Sequence, residues 1–437
     1  MANVSVSRAK TGCAVVTFVV VALIVGAAVR LAVVNNPARV SIPSHPVPRD
    51  NGWDYFARAS DALVKINHPG PLSSAKDPAQ WQMVDYEAFV KANAPALALF
   101  REGLGKPCVS PPVPHLRQVN NLTTLYSTFR ELGRTLCGEA MYYQKRGKYG
   151  RALDSRLDCV ELGVSLPNQG NYALCLVAAS VVRLGVLGPF ESTGYTGAGS
   201  IDVYIQKANR SDLARAAERL ERIRKDMTPF SGIVLSESET TATEFVEMLG
   251  DPTYRHAFSN PLLWPRQARR ARSNRDLSLP AAFIKGGGYA LADKQRIVTD
   301  YLAYANVLAK ETQRPHTGRP SATTPPNLLA EELRDGANDY WKYHLQAEAL
   351  VLLVQTEIAL QRYNLENGSY PARLDKLVPR YLKAVPIDPF GVGKPLRYKP
   401  LDGGKSFLLY SVGGNMTDDG GKPSPHKYDW QNGDMLL

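Results

Sequence analysis

The segment EAMYYQKRGKYGRALDSRLDCVELG, which runs from Glu139 to Gly163, predicts two α-helices joined by a tight turn. Ala140 and Ala152 are small enough to let the two helices approach each other closely. Gly147 and Tyr149 mark the turn between them. A helical hairpin of this kind in the middle of the sequence predicts a mainly α-helical chain.

The same segment resembles one helix–turn–helix unit of a tetratricopeptide repeat. Ala140, Gly147, Tyr149 and Ala152 stand at matching offsets, although no second clear copy follows at the period of that repeat. The resemblance implies stacked helix pairs, which form scaffolds and binding surfaces. We therefore predict an irregular α-helical hairpin array.

Helical spacing of apolar residues continues on both sides of this unit. A helix that contains Trp53 and Val64 is predicted to be capped at its start by Asp50. Further helices are predicted at about 84–103, 119–146, 148–165, 170–187, 211–226, 233–249 and 290–312.

Residues 11–29, TGCAVVTFVVVALIVGAAV, carry no charged side chain and predict an N-terminal transmembrane helix. At a helical rise of about 1.5 Å per residue, their length is close to the thickness of the hydrocarbon core of a bilayer. A cleaved signal peptide and a buried core helix are the alternatives. Arg8 and Lys10 favour a cytoplasmic N-terminus, which places the bulk of the chain outside the cytoplasm.

The composition describes a folded and basic chain of 437 residues. Hydrophobic types make up 44% of it and charged types 21%, which excludes a wholly disordered chain. The net charge of +11 is compatible with nucleic acid, anionic lipid or a cell-wall polymer as partner. Five arginines within 266–275 concentrate this charge: Arg266, Arg269, Arg270, Arg272 and Arg275. Outside the cytoplasm they predict a solvated basic face or a contact with anionic polymer or lipid, and no specific nucleic acid.

Proline-rich stretches predict the domain boundaries. We predict a transmembrane anchor at 1–34, a stalk at 35–50, an α-helical body at 51–313, a linker at 314–327 and a small α+β module at 328–437.

The C-terminal module is predicted to begin with one long amphipathic helix from Leu328, which Gly368 and Pro371 end. A short helix at Leu374–Leu382 is expected to follow. Two strands at Leu396–Pro400 and Ser406–Val412, joined by Leu-Asp-Gly-Gly, then predict a hairpin.

Three runs of this module resemble the globular domain of the major pseudopilin of type II secretion: YNLENGSYP (Tyr363–Pro371), LVPRYLKAVPIDPFGVGKPLRY (Leu377–Tyr398) and YSVG (Tyr410–Gly413). Glu366 and Phe390 stand where the family pattern has Asp and Trp. The resemblance implies a small α+β fold that mediates assembly or partner contact. Residues 11–29 lack the glutamate of a prepilin segment, and a long helical body follows them, so we predict a borrowed module rather than a standard filament subunit.

Pseudopilins of this class bind calcium in the final loop, and the matching segment here is Gly413–Trp430. Its oxygen donors are Asn415, Asp418, Asp419 and Asp429. The resemblance therefore implies a calcium site, and the alternative is a loop that Asp and Asn side chains stabilise without metal. An EF-hand is excluded because His426 would stand at its last ligand position.

Four cysteines follow Cys13 in the sequence: Cys108, Cys137, Cys159 and Cys175. Cys137 and Cys159 lie on consecutive predicted helices and are expected to face each other. A disulfide and two small buried apolar side chains are both compatible with this placement. The sequence has no CxxC motif and no Cys/His spacing typical of zinc.

No motif of a serine hydrolase, a zinc protease, a phosphate loop or a dinucleotide site occurs in the sequence. We therefore predict a membrane-anchored extracytoplasmic scaffold or binding protein of a bacterial envelope. One alternative is a non-canonical component of a type II secretion or pilus apparatus. The other is an extracytoplasmic hydrolase with its site in the helical body, for which Glu237, Thr240, Thr241 and Glu244 form one polar combination at helical spacing.

Overall fold

Helices account for most of the structure, a computed structural model that describes residues 25–26, 41–43, 45–64, 82–111, 119–188, 199–250, 293–313, 324–424 and 431–437. The helices are α1 Gly52–Asp61, α2 Met83–Gly103, α3 Val119–Lys145, α4 Tyr149–Ser165, α5 Tyr172–Leu187, α6 Asp202–Lys207, α7 Arg210–Lys225, α8 Phe230–Gly250, α9 Lys294–Glu311 and α10 Leu328–Asn367. Two strands, β1 Arg397–Leu401 and β2 Ser406–Tyr410, form an antiparallel sheet near the C-terminus. The prediction of a mainly α chain with a short antiparallel sheet is confirmed.

The described residues fall into two compact units. The larger contains the described parts of 45–237, 305–325 and 331–437, and the smaller contains those of 1–44, 238–304 and 326–330. In the smaller unit, Asn327 accepts a hydrogen bond from Ala330 N at 3.1 Å and donates one to Ile297 O at 2.9 Å. This amide therefore caps the start of α10 and ties it to α9.

The predicted membrane anchor lies outside the described residues except for positions 25 and 26. Within the described ranges, no helix is both long enough and apolar enough to cross a membrane.

The helical hairpin at Glu139–Gly163 is formed by α3 and α4, as predicted, and α5 packs against both. A Cβ atom at Gly163 would stand 2.7 Å from the backbone nitrogen of Val182, so α4 and α5 approach each other more closely than a side chain would allow. Trp53 of α1 and Phe129 of α3 meet edge to face at 5.1 Å in the same core.

Two predicted helix ends are wrong. Asn51, and not Asp50, caps α1, since its side chain accepts a hydrogen bond from Trp53 N at 3.3 Å while Asp50 pairs with Lys106. The helix predicted at Leu374–Leu382 is only a 3₁₀ turn at Leu374–Leu377. Val378 adopts an extended conformation because a residue before proline is disfavoured in the helical region.

An apolar stripe predicts that α10 buries one face and exposes the other. In the middle of the helix this prediction is wrong, because every residue of 349–361 is buried. Gln355 of this stretch donates to Glu221 at 2.6 Å and accepts from Arg224 at 3.2 Å, both on α7. Gln361 donates to Gln206 O at 3.2 Å. Polar partners on the surrounding helices thus allow α10 to be buried on all sides, although its sequence is amphipathic.

The C-terminal hairpin has the predicted strands with slightly different ends, and Arg397 pairs with Tyr410 across it. Asp388 begins a turn in which Gly391 N donates to Asp388 O at 2.9 Å and Phe390 is fully buried. The Asp388 carboxylate also accepts hydrogen bonds from Ser411 Oγ at 2.7 Å and Val412 N at 2.9 Å. This buried carboxylate therefore fixes the turn to the end of β2.

Candidate functional site

A cleft of about 280 Å³ opens between α6, the middle of α10 and the C-terminal hairpin; we call it the Glu357 cleft. Its polar walls are Asp202 and Gln206 of α6, Glu357 of α10, Tyr370 and Ser406. Its remaining lining residues are Lys405, Phe407, Leu408, Leu409, Leu436 and Leu437.

Hydrogen bonds and aromatic packing hold the walls of the Glu357 cleft in place. Tyr370 donates to Gln361 Oε1 at 2.8 Å, and Gln361 in turn donates to the backbone of Gln206. The ring of Tyr370 meets the ring of Phe407 edge to face, with centroids 4.7 Å apart. These contacts join α6, α10 and β2, so the cleft does not depend on one flexible loop.

The carboxyl group of Glu357 has a strongly raised pKa. Its side chain is almost fully buried, and this burial, together with the negative charge of Asp202, raises the pKa of Glu357 to about 8. A hydrogen bond with Gln206 opposes the shift. At neutral pH Glu357 is therefore mostly protonated and able to donate a hydrogen bond.

Asp202 adds a second carboxyl group whose hydrogen bonding is incomplete. Its Oδ1 atom is buried and has no hydrogen-bond partner among the residues that the structure describes. An unsatisfied buried acceptor is costly, so it favours the approach of a donor. A neutral acid beside a second carboxyl group is also an arrangement that supports proton transfer.

The sequence did not predict this site. Its residues come from three segments that are far apart along the chain, and Glu357 occupies one position of a predicted amphipathic helix. The one available signal was the polar group Gln355-Thr356-Glu357 in the middle of an otherwise apolar run.

The predicted calcium donors lie in a loop where each described side chain already has a partner. Asp418 accepts from Arg397 Nε and from the Tyr410 hydroxyl, both at 2.8 Å. These two bonds, the one from Arg397 first, lower the pKa of Asp418. Asn415 donates to Asp419 at 2.9 Å, and Asp429 lies outside the described residues.

Asp434 organises the same loop and was not predicted. Its buried carboxylate accepts from the backbone nitrogens of Asp419, Gly421 and Lys422 at 3.3, 2.7 and 3.2 Å. In the described part of the chain, no three His, Cys, Asp or Glu side chains are arranged to hold a metal. The oxygens are thus arranged for hydrogen bonds within the loop, and the calcium site stays a prediction.

A buried network of ion pairs joins α2, α3, α4 and α7. Arg101 bonds both oxygens of Glu139 and reaches Asp158 at 2.8 Å. Arg219 donates to the other oxygen of Asp158 at 2.6 Å, and Ser155 donates to Glu139 at 2.6 Å. Because each carboxylate oxygen has a donor, we assign this network to the stability of the helix array rather than to a reaction.

Glu237 and the four described cysteines do not line the Glu357 cleft. Glu237 accepts a hydrogen bond from Tyr172 N at 2.7 Å, at the first residue of α5, where a negative charge stabilises the helix. The arginines of 266–275 lie outside the described residues. Cys108, Cys137, Cys159 and Cys175 are all free and buried, and Cys159 faces α3, with its Sγ atom 3.6 Å from the carbonyl oxygen of Gly133, four residues before Cys137.

No family model, no curated protein and no solved structure matches this chain. Its function is therefore argued from its own residues.

Proposed function

We propose that this chain is a membrane-anchored, extracytoplasmic binding protein of a bacterial envelope, with a pilin-like C-terminal segment built into its ligand-binding body. The Glu357 cleft is the observation that carries this proposal. Asp202 and Gln206 belong to the predicted body, whereas Glu357, Tyr370 and Ser406 belong to the predicted module. A site that takes its walls from both parts gives the pilin-like segment a role in binding.

The chemistry of the cleft favours a small ligand that donates hydrogen bonds. Asp202, Tyr370 and Ser406 offer oxygen acceptors, one of which, Asp202 Oδ1, has no donor among the described residues, while Glu357 and Lys405 add donors. Phe407 and Leu409 add apolar surface for the remainder of such a ligand.

The burial of α10 supports a binding or scaffold protein rather than a filament subunit. Residues 349–361 are enclosed on every side, so this part of the helix is not available for packing against another subunit. A non-canonical component of a type II secretion or pilus apparatus is the alternative that would use the exposed surface of the same module.

A hydrolase is the second candidate function, because a neutral Glu357 near the charge of Asp202 is a pairing that general acid–base catalysis uses. In this case Glu357 would supply a proton to a leaving group. The distinguishing property is the fate of the bound molecule, which a binding protein releases unchanged.

Photo-crosslinking in native membranes tests the proposal. A photoreactive residue is placed at Gln206 or Lys405, which are exposed at the cleft, and at exposed Lys376 as the control. We expect adducts at the two cleft positions, and we expect these adducts to disappear in Glu357→Ala. Any adduct at the control position 376 should be the same in wild type and in Glu357→Ala. Equal adducts at all three positions would contradict a binding site in the cleft.

The same preparation separates the alternatives. A captured molecule that wild type releases cleaved and Glu357→Gln releases intact would support the hydrolase, and co-purified secretion proteins would support the apparatus component. The membrane location is tested by alkaline carbonate extraction of the full chain and of a variant that lacks residues 11–29. We expect only the full chain to stay with the membrane.

A further inference from the structure

Arg156 is a buried cation whose bonds all go to neutral groups within the described part of the chain. It is fully buried in α4, and its guanidinium donates to the carbonyl oxygens of Gly185 at 2.7 Å and Val186 at 3.1 Å. Its Nη1 atom is buried without a hydrogen-bond partner among the described residues. A buried guanidinium without a nearby anion is strongly unfavourable, so the core around it favours a negative charge.

The acidic groups that face this cation are two cysteine thiols and the phenol of Tyr204, whose ring centroid lies 5.7 Å from the guanidinium. Cys137 of α3 and Cys159 of α4 are both fully buried in one core cluster, and Cys159 Sγ lies 3.6 Å from Gly133 O on α3. Cys137 lies 3.3 Å from Leu184 O, and Cys159 lies 3.4 Å from Val181 O, so both sulphurs are held against α5. Val181 and Leu184 are three residues apart on α5, so the two sulphurs lie beside the same turn of that helix, where side-chain movement can bring them to the length of an S–S bond.

The environment makes the two thiols unequal. The hydrogen bond from Cys159 and the positive charge of Arg156 lower the pKa of Cys137, against the effect of burial. Burial, followed by the hydrogen bond to Cys137, raises the pKa of Cys159. The remaining titratable groups that act on Cys137 are Arg134 on its own helix and Tyr204 on α6.

We propose that Cys137 and Cys159 form a hydroperoxide-oxidisable dithiol, in which Arg156 holds Cys137 as the reactive thiolate and Cys159 resolves its oxidised form. This inference is independent of the Glu357 cleft. Both thiols are fully buried, so peroxide reaches them only when the α3–α4 pair opens locally.

The chemistry balances with the peroxide as the oxidant. The Cys137 thiolate attacks one peroxide oxygen, the O–O bond breaks, and the departing hydroxide takes a proton to become water. The Cys159 thiol then attacks the sulfenic sulphur, forms the S–S bond and releases the sulfenic oxygen as a second water. Two thiols and one peroxide thus give one disulfide and two waters.

The test treats the reduced full-length protein with hydrogen peroxide and then denatures it in the presence of a probe for sulfenic acid. In wild type we expect a Cys137–Cys159 disulfide, seen as a linked peptide that has lost two hydrogen atoms. In Cys159→Ala we expect the sulfenic adduct on Cys137. Cys175→Ala is the matched control, a buried cysteine whose pKa is raised to about 12, and it should form the same disulfide as wild type.

The role of Arg156 is tested by the pH profile of Cys137 oxidation. Arg156→Met should move the midpoint of this profile to higher pH and slow oxidation at pH 7 by about tenfold, whereas Arg156→Lys should retain most of the rate. The profile is measured on Cys137 relative to Cys108, so it stays interpretable if the first variant is less stable. Equal oxidation of Cys108, Cys137 and Cys175, or a profile that Arg156→Met leaves unchanged, would overturn the proposal.

Discussion

The carboxylate of Asp212 lies directly against the backbone of Gly150, so that a Cβ atom at this glycine would stand 2.2 Å from Asp212 Oδ2. Asp212 belongs to α7 and Gly150 to the first turn of α4. A negative side chain from one helix is therefore placed at the N-terminal end of another, where the helix dipole favours it. Arg215 holds the same carboxylate from its other side at 2.9 Å.

This contact predicts that Gly150→Ala destabilises the protein although alanine favours helices. The added methyl group must displace Asp212 from the end of α4 and disturb its pairing with Arg215, at a cost on the order of 1–3 kcal/mol. Thermal and urea unfolding measure the change in the free energy of unfolding.

Gly232→Ala of α8 is the matched control, because its new Cβ would meet only side-chain carbons, the Thr228 methyl group at 3.3 Å and Pro229 Cγ at 3.9 Å. We expect it to be neutral or stabilising. The double variant Gly150→Ala/Asp212→Ser should recover part of the lost stability. If Gly150→Ala is as stable as Gly232→Ala, the Asp212 carboxylate can move away from α4 without lowering the free energy of unfolding, which would contradict the prediction.

The raised pKa of Glu357 predicts a loss of stability as the pH rises. Between the ordinary pKa near 4.5 and the folded value of about 8, the unfolded chain has released this proton while the folded chain retains it. The penalty therefore grows through this window, to a total on the order of a few kcal/mol, and is constant above it. Glu357→Gln removes the ionisable group, so its stability relative to wild type should increase from pH 5 to pH 8.

Unfolding curves of wild type and Glu357→Gln across this range check the prediction. A Glu357→Gln difference that is flat across the range would rule out a buried, protonated Glu357.

His344 predicts the opposite dependence on pH. Burial lowers its pKa to about 4, and its ring lies 5.6 Å from that of Phe230. As the pH falls from 6.5 to 4, the unfolded chain binds a proton that the folded chain excludes, so the folded state loses stability. His344→Phe should lose less stability than wild type over this range. Equal acid sensitivity of wild type and His344→Phe would contradict the assignment.

The sequence was sufficient for elements whose signals are local. The helices of the array were predicted from the helical spacing of their apolar residues. The end of α10 was predicted from Gly368, which adopts a φ of 78° that glycine accommodates readily. The six residues of α6 are too few for a periodic pattern, so this helix was not predicted.

The cleft depends on contacts that no local pattern contains. Asp202, Glu357 and Tyr370 meet only because α10 is buried among α6 and α7. The choice of Asn51 over Asp50 as a cap has a similar origin, since Asn51 also donates to Val109 O at 2.8 Å and accepts from Val109 N at 3.0 Å, after α2.

The loop at 413–424 gives the calcium prediction a sharp test on the full-length protein. If the pseudopilin resemblance extends to metal binding, calcium at millimolar concentration should raise the melting temperature, and Asp419→Asn should abolish the rise. Asp402→Asn, in the turn of the β1–β2 hairpin, is the control and should retain it. Calcium must displace Arg397 from Asp418, so Arg397→Met should lower the calcium concentration needed for the same shift. A melting temperature that calcium leaves unchanged in both wild type and Arg397→Met would show that hydrogen bonds alone stabilise this loop.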